Sequence, residues 1–208
     1  GKRELVLVPK SYELQIGSKQ YLPSRQMQGG DYVVEPELTK YVNDVGQRLA
    51  AVSDRKLPYE FVVLNNSVPN AWALPGGKIA INRGLLTELN SEAELAAVLG
   101  HEIVHAAARH GAKGMERGIL LQGAVVVAGI ASRGSNYENL AVRGSQTAAG
   151  LINQKYGRNA ESESDLYGMQ YMSRAGYDPR AAISLQEVFV RLSEGQETDW
   201  LSGLFSSH

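Results

Sequence analysis

The stretch NSEAELAAVLGHEIVHAAARHG, residues 90–111, constrains the fold of this chain more than any other part of it. Ser91 and Glu94 form the S-x-x-E pattern of a helix N-terminus, and Gly111 is a suitable helix end. Because each helical residue advances about 100° around the axis, the apolar residues cluster on one arc and can face a core. These residues are Leu95, Leu99, Ile103 and Ala106. The pattern predicts a helix that packs on one side and offers polar groups on the other.

The polar side of this predicted helix carries His101, Glu102 and His105, which form an HExxH arrangement. Histidines four residues apart lie about 40° apart on a helix. Both rings can therefore converge on one zinc ion at Zn–N distances of about 2.0–2.1 Å, with the glutamate as general base. Chance alone produces HExxH in on the order of one chain in a hundred of this length. The motif needs a third ligand before it predicts a metal site.

That third ligand must be a histidine or a carboxylate, since the chain has no cysteine. Extrapolating the helix turns His110 about 160° away from the other histidines, so we interpret it as a helix-end residue at the negative end of the dipole. In RNAESESD, Glu161 and Asp165 share a helix face. Glu161 can complete the ligand set, Asp165 can accept the free ring N–H of a ligating histidine, and Glu163 points about 200° away from Glu161. Taken alone, these acids fit a solvated helix start better.

The rest of the chain predicts an α+β fold that is mainly helical, with a small sheet early in the sequence. YEFVVLNN and KIAIN are typical of strands, whereas EPELTKYVNDVGQRLAAV and DPRAAISLQEVFVRLS are typical of helices. We expect residues 1–35 to be an N-terminal helical extension and residues 36–208 to form one domain. The apolar run at 118–131 is shorter than the about 20 residues of a bilayer span. It predicts a buried helix, with a membrane-contacting hairpin as the alternative.

Four segments occur in an order that resembles the HtpX-like zinc metallopeptidases of peptidase family M48, which include the CAAX prenyl proteases and the BepA-type and LoiP-type bacterial envelope proteases. They are VPNAWALPGGKIAINRGLL, ELAAVLGHEIVHAAARHG, RNAESESD and the final SSH, and the resemblance runs from about residue 38 to 208. It implies a zincin-like domain with one Zn²⁺ per chain and Glu102 as general base. It also implies that His101, His105 and Glu161 bind the zinc and that Asp165 holds a ligating histidine. Ser164 stands where the family usually has alanine.

The resemblance also implies substrate-binding or regulatory roles at the cleft, for Asn70, Ala71, Gly76 and Gly77 and for His208. KIAIN could be an edge strand beside the metal that binds an extended peptide by strand addition, although a plain hairpin strand fits equally well. In BepA-type members the histidine that matches His208 can reach the zinc and block the water position. A terminal residue without a role fits His208 as well.

The function implied by this resemblance is a zinc endopeptidase that cleaves unfolded or misassembled proteins. We expect an exported protein, periplasmic or membrane-associated, whose leader is absent from this sequence and whose partners include membrane proteins of the envelope. With 21 basic and 22 acidic residues, no nucleic-acid partner is expected. The alternatives are a chaperone-like or binding module whose zinc site is capped by His208, and a helical interaction protein without a metal.

Overall fold

The computed structural model describes residues 6–130, 148–152 and 155–194. These residues form eight helices and three strands, which confirms the mainly helical α+β fold with a small early sheet. In chain order the elements are α1 (Lys10–Met27), α2 (Pro36–Ala50), β1 (Glu60–Leu64), β2 (Ala71–Leu74), β3 (Lys78–Asn82), α3 (Arg83–Leu86), α4 (Glu92–Ala107), α5 (His110–Ile130), α6 (Ala148–Ile152), α7 (Arg158–Arg174) and α8 (Ala181–Glu194).

The three strands form one sheet in the order β1-β3-β2. β1 runs parallel to β3, with Val62 opposite Ala80, and β2 runs antiparallel to β3, with Trp72 opposite Ala80. Of the two alternatives for KIAIN, the edge strand is therefore wrong, and the hairpin strand fits the pairing of β3 with β2. This segment is β3, which is paired on both sides and buried along its length. The outer strand of the hairpin is β2.

The sheet separates two apolar cores. Ile79 and Ile81 of β3 face a cluster that includes α2 and α4, whereas Ala80 faces a second cluster that includes α1. Alternate residues of a strand point to opposite faces of a sheet, which explains this division. In the second cluster the hydroxyl of Tyr21 on α1 donates to the carbonyl of Ile79 at 2.6 Å. Although α1 lies in the predicted extension 1–35, it is packed onto the sheet of the domain, and the boundary itself stays a prediction.

Helices α4 and α7 approach each other closely where each has a glycine. A Cβ on Gly100 would lie 3.2 Å from the carbonyl oxygen of Gly168, and a Cβ on Gly168 would lie 3.1 Å from the backbone nitrogen of His101. Both distances are shorter than ordinary van der Waals contacts. The two glycines therefore let the α7 backbone pass directly against the turn of α4 that begins the HExxH motif.

The apolar run after the HExxH helix lies in α5, and its first part is not buried. Ile119, Leu120 and Leu121 are exposed, Leu121 to 69%, so the preferred interpretation of a buried helix is wrong for these three residues. None of the helices in the described part of the chain is both long and apolar enough to span a bilayer. The alternative for this run, a membrane-contacting hairpin, stays a prediction.

Candidate metal centre

Helix α4 begins as its sequence predicts but ends earlier. The Ser91 hydroxyl accepts from the backbone N–H of Glu94 at 3.1 Å, and the Glu94 carboxylate accepts from the N–H of Asn90 at 3.0 Å. The helix ends at Ala107 rather than at Gly111. The reason is Arg109, whose φ of 60° places it in the left-handed region and turns the chain into α5. The hydrophobic periodicity of a sequence does not predict that a non-glycine residue adopts this conformation.

Three side chains converge where α4 and α7 cross. The Nε2 atoms of His101 and His105 lie 3.1 Å apart, and the Glu161 carboxylate oxygens lie 3.1 Å from the first and 3.3 Å from the second. Zinc bonds of about 2.0–2.1 Å at tetrahedral angles separate neighbouring ligand atoms by roughly 3.3 Å. Each of these separations is close to that value, and Glu161 meets the two rings through different oxygens, Oε2 toward His101 and Oε1 toward His105. The donor set therefore fits the metal.

The electrostatics of the cluster also favour a cation. Burial lowers the pKa of an imidazole, but for His101 the hydrogen bonds to Asp165 and Glu161 outweigh burial and raise the pKa to about 10. For His105 burial prevails, and the pKa is lowered. Glu102 adds a further negative charge near both rings. The site thus concentrates carboxylates around two imidazoles, which is the charge environment that a divalent cation compensates.

Asp165 lies one turn after Glu161 on α7 and contacts the outer side of His101. Its Oδ1 is 2.9 Å from Nδ1 of His101, the ring nitrogen opposite the one in the cluster. If Nε2 is the ligand atom, Nδ1 carries the proton and donates to this carboxylate. The geometry is the one expected for the role that the resemblance gives to Asp165.

A cavity of about 230 Å³ opens beside the cluster. His101, Glu102 and Glu161 line its polar end, and Glu102 is 3% exposed. The rest of the wall comes from the start of β2 and from α3, α4, α7 and α8. Its apolar residues include Leu85, Val98, Met172, Leu185 and Phe189. The cavity therefore joins a carboxylate and the cluster to a mainly apolar space.

The structure separates the four predicted cleft residues into two pairs. Asn70 and Ala71 line the cavity at the start of β2. Gly76 and Gly77 form the turn at the other end of that strand, with φ of 86° and 87°. A Cβ on Gly77 would lie 2.8 Å from the ring of Tyr59, so tight packing and positive φ account for these glycines away from the cavity. His208 lies outside the described residues.

The interpretation of His110 as a helix-end residue of α4 is wrong. It is the first residue of α5 and is buried, with Nδ1 2.8 Å from Nδ1 of His105 and Nε2 3.1 Å from the Glu163 carboxylate. The 100° extrapolation fails because α4 ends before residue 110. Glu163, placed away from the cluster by its helical spacing, contacts His110 instead.

Sequence reasoning also missed Tyr156, whose ring stacks on His105 with centroids 4.2 Å apart.

Comparison with known proteins gives consistent matches. The family model described as Peptidase family M48 matches residues 36–208. The "Putative beta-barrel assembly-enhancing protease" of Vibrio cholerae is 34% identical over 175 residues, which are 77% of this chain and 34% of that protein. The "Beta-barrel assembly-enhancing protease" of Escherichia coli K12 is 32% identical over 183 residues, 78% of this chain and 37% of that protein. The "Mitochondrial metalloendopeptidase OMA1" of Arabidopsis thaliana is 33% identical over 147 residues, 70% of this chain and 29% of that protein. The chain spans about a third of the length of these relatives.

Proposed function

Because this chain belongs to peptidase family M48, a family of metallopeptidases, we propose that it is a zinc-dependent endopeptidase. The observation that carries the proposal is the convergence of His101, His105 and Glu161, with Glu102 and an open cavity beside them. Three protein ligands leave one coordination position for water or substrate, which is the arrangement of catalytic rather than structural zinc.

The chemistry divides between the metal and the chain. Bound zinc would act as a Lewis acid that polarises the scissile carbonyl and acidifies a water molecule. Glu102 would take the proton of the attacking water and deliver it to the nitrogen of the leaving amine. Its burial at the polar end of the cavity keeps this carboxylate at the metal centre and limits competing contacts with bulk water. Asp165 would hold the ring of His101 in the orientation that directs Nε2 to the metal.

We propose that the substrate binds as an extended peptide along the start of β2. β2 is an outer strand of the sheet, and Asn70 and Ala71 at its start line the cavity. Strand addition supplies backbone hydrogen bonds that do not depend on the substrate's sequence. β3 does not fit this role, because both of its edges are already paired within the sheet.

The substrate class we propose is unfolded or misassembled protein of the bacterial envelope. The apolar cavity wall suits a large apolar side chain, and such side chains are mostly buried in folded proteins but accessible in unfolded ones. The Vibrio and Escherichia relatives are named as beta-barrel assembly-enhancing proteases, which supports a periplasmic or membrane-associated location and partners among envelope membrane proteins.

The test compares the wild-type protein with Glu102→Gln on an unfolded substrate such as casein, with the zinc content of both measured. We expect both proteins to hold one zinc and the variant to lose about 10²–10⁴-fold in cleavage rate, the usual range for general acid–base catalysis. Equal cleavage by the two proteins would remove Glu102 as the base. Zinc-loaded wild-type protein that cleaves no unfolded substrate would reject the endopeptidase and favour a binding module.

A further inference from the structure

We propose that His110 is a positioning residue of the metal centre, which links the Glu163 carboxylate to the ring of His105. This inference rests on the proposed function, in which His105 binds zinc through Nε2. The evidence is a continuous chain of contacts. Nδ1 of His105 lies 2.8 Å from Nδ1 of His110, and Nε2 of His110 lies 3.1 Å from Oε2 of Glu163.

The protons of this chain are consistent when both rings are neutral. If Nε2 of His105 faces the metal, its Nδ1 carries a proton and donates to Nδ1 of His110. His110 then carries its own proton on Nε2 and donates it to the Glu163 carboxylate. Each ring has one donor and one acceptor nitrogen, as a neutral imidazole requires. The chain, with the Ser164 hydroxyl as a longer second contact of the same Nδ1 atom at 3.4 Å, thus fixes the tautomer of His105 and makes Nε2 a more basic ligand atom.

The surroundings of His105 restrict its ring further. Tyr156 stacks on it at an interplanar angle of 20°, which limits tilting of the ring plane. The contact with His110 then limits rotation of the ring within that plane. His105 and His110 are both buried, so bulk water does not compete strongly for their hydrogen bonds.

The turn between α4 and α5, which brings His110 to this position, is stabilised by an ion-pair network around Arg109. Arg109, in its left-handed conformation, donates to the carboxylate of Glu116 and to the carbonyl of Val8, both at 2.7 Å. It also lies 3.4 Å from Glu13. Glu13 and Glu116 are buried acids on α1 and α5. These contacts stabilise the sharp turn between α4 and α5, and that turn directs His110 back onto His105.

One turn of α7 therefore serves both histidines of α4. Glu161 contacts both rings in the cluster, Asp165 contacts the outer nitrogen of His101 directly, and Glu163 reaches the outer nitrogen of His105 through His110. Only His105 needs a bridging imidazole. Glu163 points to a different side of α7 from Glu161 and Asp165, and it reaches His105 only through His110.

The first experiment measures zinc dissociation constants and the unfolding of the metal-free protein. His110→Phe keeps a ring of similar size but removes both hydrogen bonds, and we expect zinc to bind about 10–100-fold more weakly, the usual effect of losing such a partner. His110→Asn keeps a side-chain oxygen that can accept from His105, so we expect part of the affinity to return. Glu187→Gln, which changes an exposed acid on α8, is the control and should bind zinc like the wild type.

A double-mutant cycle separates positioning from general stability. Glu163→Ala should weaken zinc binding in the wild-type background and have almost no further effect in the His110→Phe background, because the chain is already broken. The visible spectrum of the Co²⁺-substituted protein should also change in His110→Phe, since it reports ligand geometry. Metal-free His110→Phe should remain folded, which shows that the loss is not one of fold.

Equal zinc affinity and an unchanged Co²⁺ spectrum in a folded His110→Phe protein would overturn the inference and leave the proposed function intact. Additive effects of the Glu163 and His110 substitutions would also overturn it. If His110→Phe does not fold, the same cycle with His110→Asn decides the matter. Wild-type protein that binds no zinc would overturn both this inference and the proposed metal centre.

Discussion

His101 and His105 lie one helical turn apart on α4, yet their rings have different surroundings. The His101 side chain is 17% exposed, lines the cavity and contacts Asp165 through its outer nitrogen. The His105 side chain is 1% exposed and lies between Tyr156 and His110. One histidine faces the space where a substrate would lie, and the other is anchored in the protein. The HExxH spacing brings two rings together, but the elements packed around α4 give each ring a separate environment.

Removal of the metal should have the largest effect on stability, because Glu161 on α7 and both histidines on α4 would bind the same ion. A ligand present at 1,000 times its dissociation constant stabilises the folded protein by about 4 kcal/mol. We expect chelation of zinc to lower the unfolding free energy by about this amount and to increase hydrogen exchange in α4 and α7. An unchanged unfolding curve after verified metal loss would contradict a metal shared by the two helices.

Glu161→Ala should reduce zinc affinity more than any change to the outer contacts of either histidine. This carboxylate lies in the cluster itself, so we expect a loss of more than about 100-fold, above the 10–100-fold typical of outer partners. Glu163→Ala is the matched control two residues away and should lose clearly less. Equal zinc retention by the two variants, measured by competition with a chelating dye, would remove Glu161 from the ligand set.

Gly168→Ala tests how the His101 side of the site is supported. The added Cβ would lie 3.1 Å from the backbone nitrogen of His101, so the helices must separate at a cost of about 1–3 kcal/mol of unfolding free energy. Gly118→Ala on α5 is the control, because a Cβ there meets nothing within 4 Å and should stabilise the helix slightly. Chemical denaturation measures the unfolding free energies of the two variants. A destabilisation no greater in Gly168→Ala than in Gly118→Ala would contradict the close approach.

The smallest predicted effect is a difference in salt dependence between the contacts that support His101 and those that support His105. Asp165 is 55% exposed and carries its charge directly against His101, whereas the outer nitrogen of His105 is contacted by the buried ring of His110. Surface charge interactions weaken as ionic strength rises. We expect the cost of Asp165→Asn in zinc affinity to fall a few-fold between low salt and about 1 M salt, and the cost of His110→Phe to change little. Equal salt dependence of the two costs would show that the two supports do not differ in this way.

Local spacing along the chain was enough to predict part of the site. The cap at Ser91, the shared flank of His101 and His105 and the separation of Glu163 from Glu161 all follow from helical geometry over a few residues. The place of α7 beside α4 does not follow from spacing, because it depends on the close approach at Gly100 and Gly168. It was predicted only through resemblance to a family.

The wrong predictions concern features that distant residues decide. The end of α4 depends on a left-handed Arg109 that contacts Glu13 and Glu116, and helical periodicity therefore predicts the wrong helix for His110. The position of β3 in the sheet depends on its parallel pairing with β1, which periodicity within the strand does not reveal.

A crystal structure of the zinc-loaded protein, with anomalous data collected at the zinc absorption edge, tests the central claim most directly. We predict one strong anomalous peak at bonding distance from Nε2 of His101, Nε2 of His105 and the Glu161 carboxylate. A peak bonded to a different set of side chains, or crystals grown with excess zinc that show no peak between α4 and α7, would contradict the account.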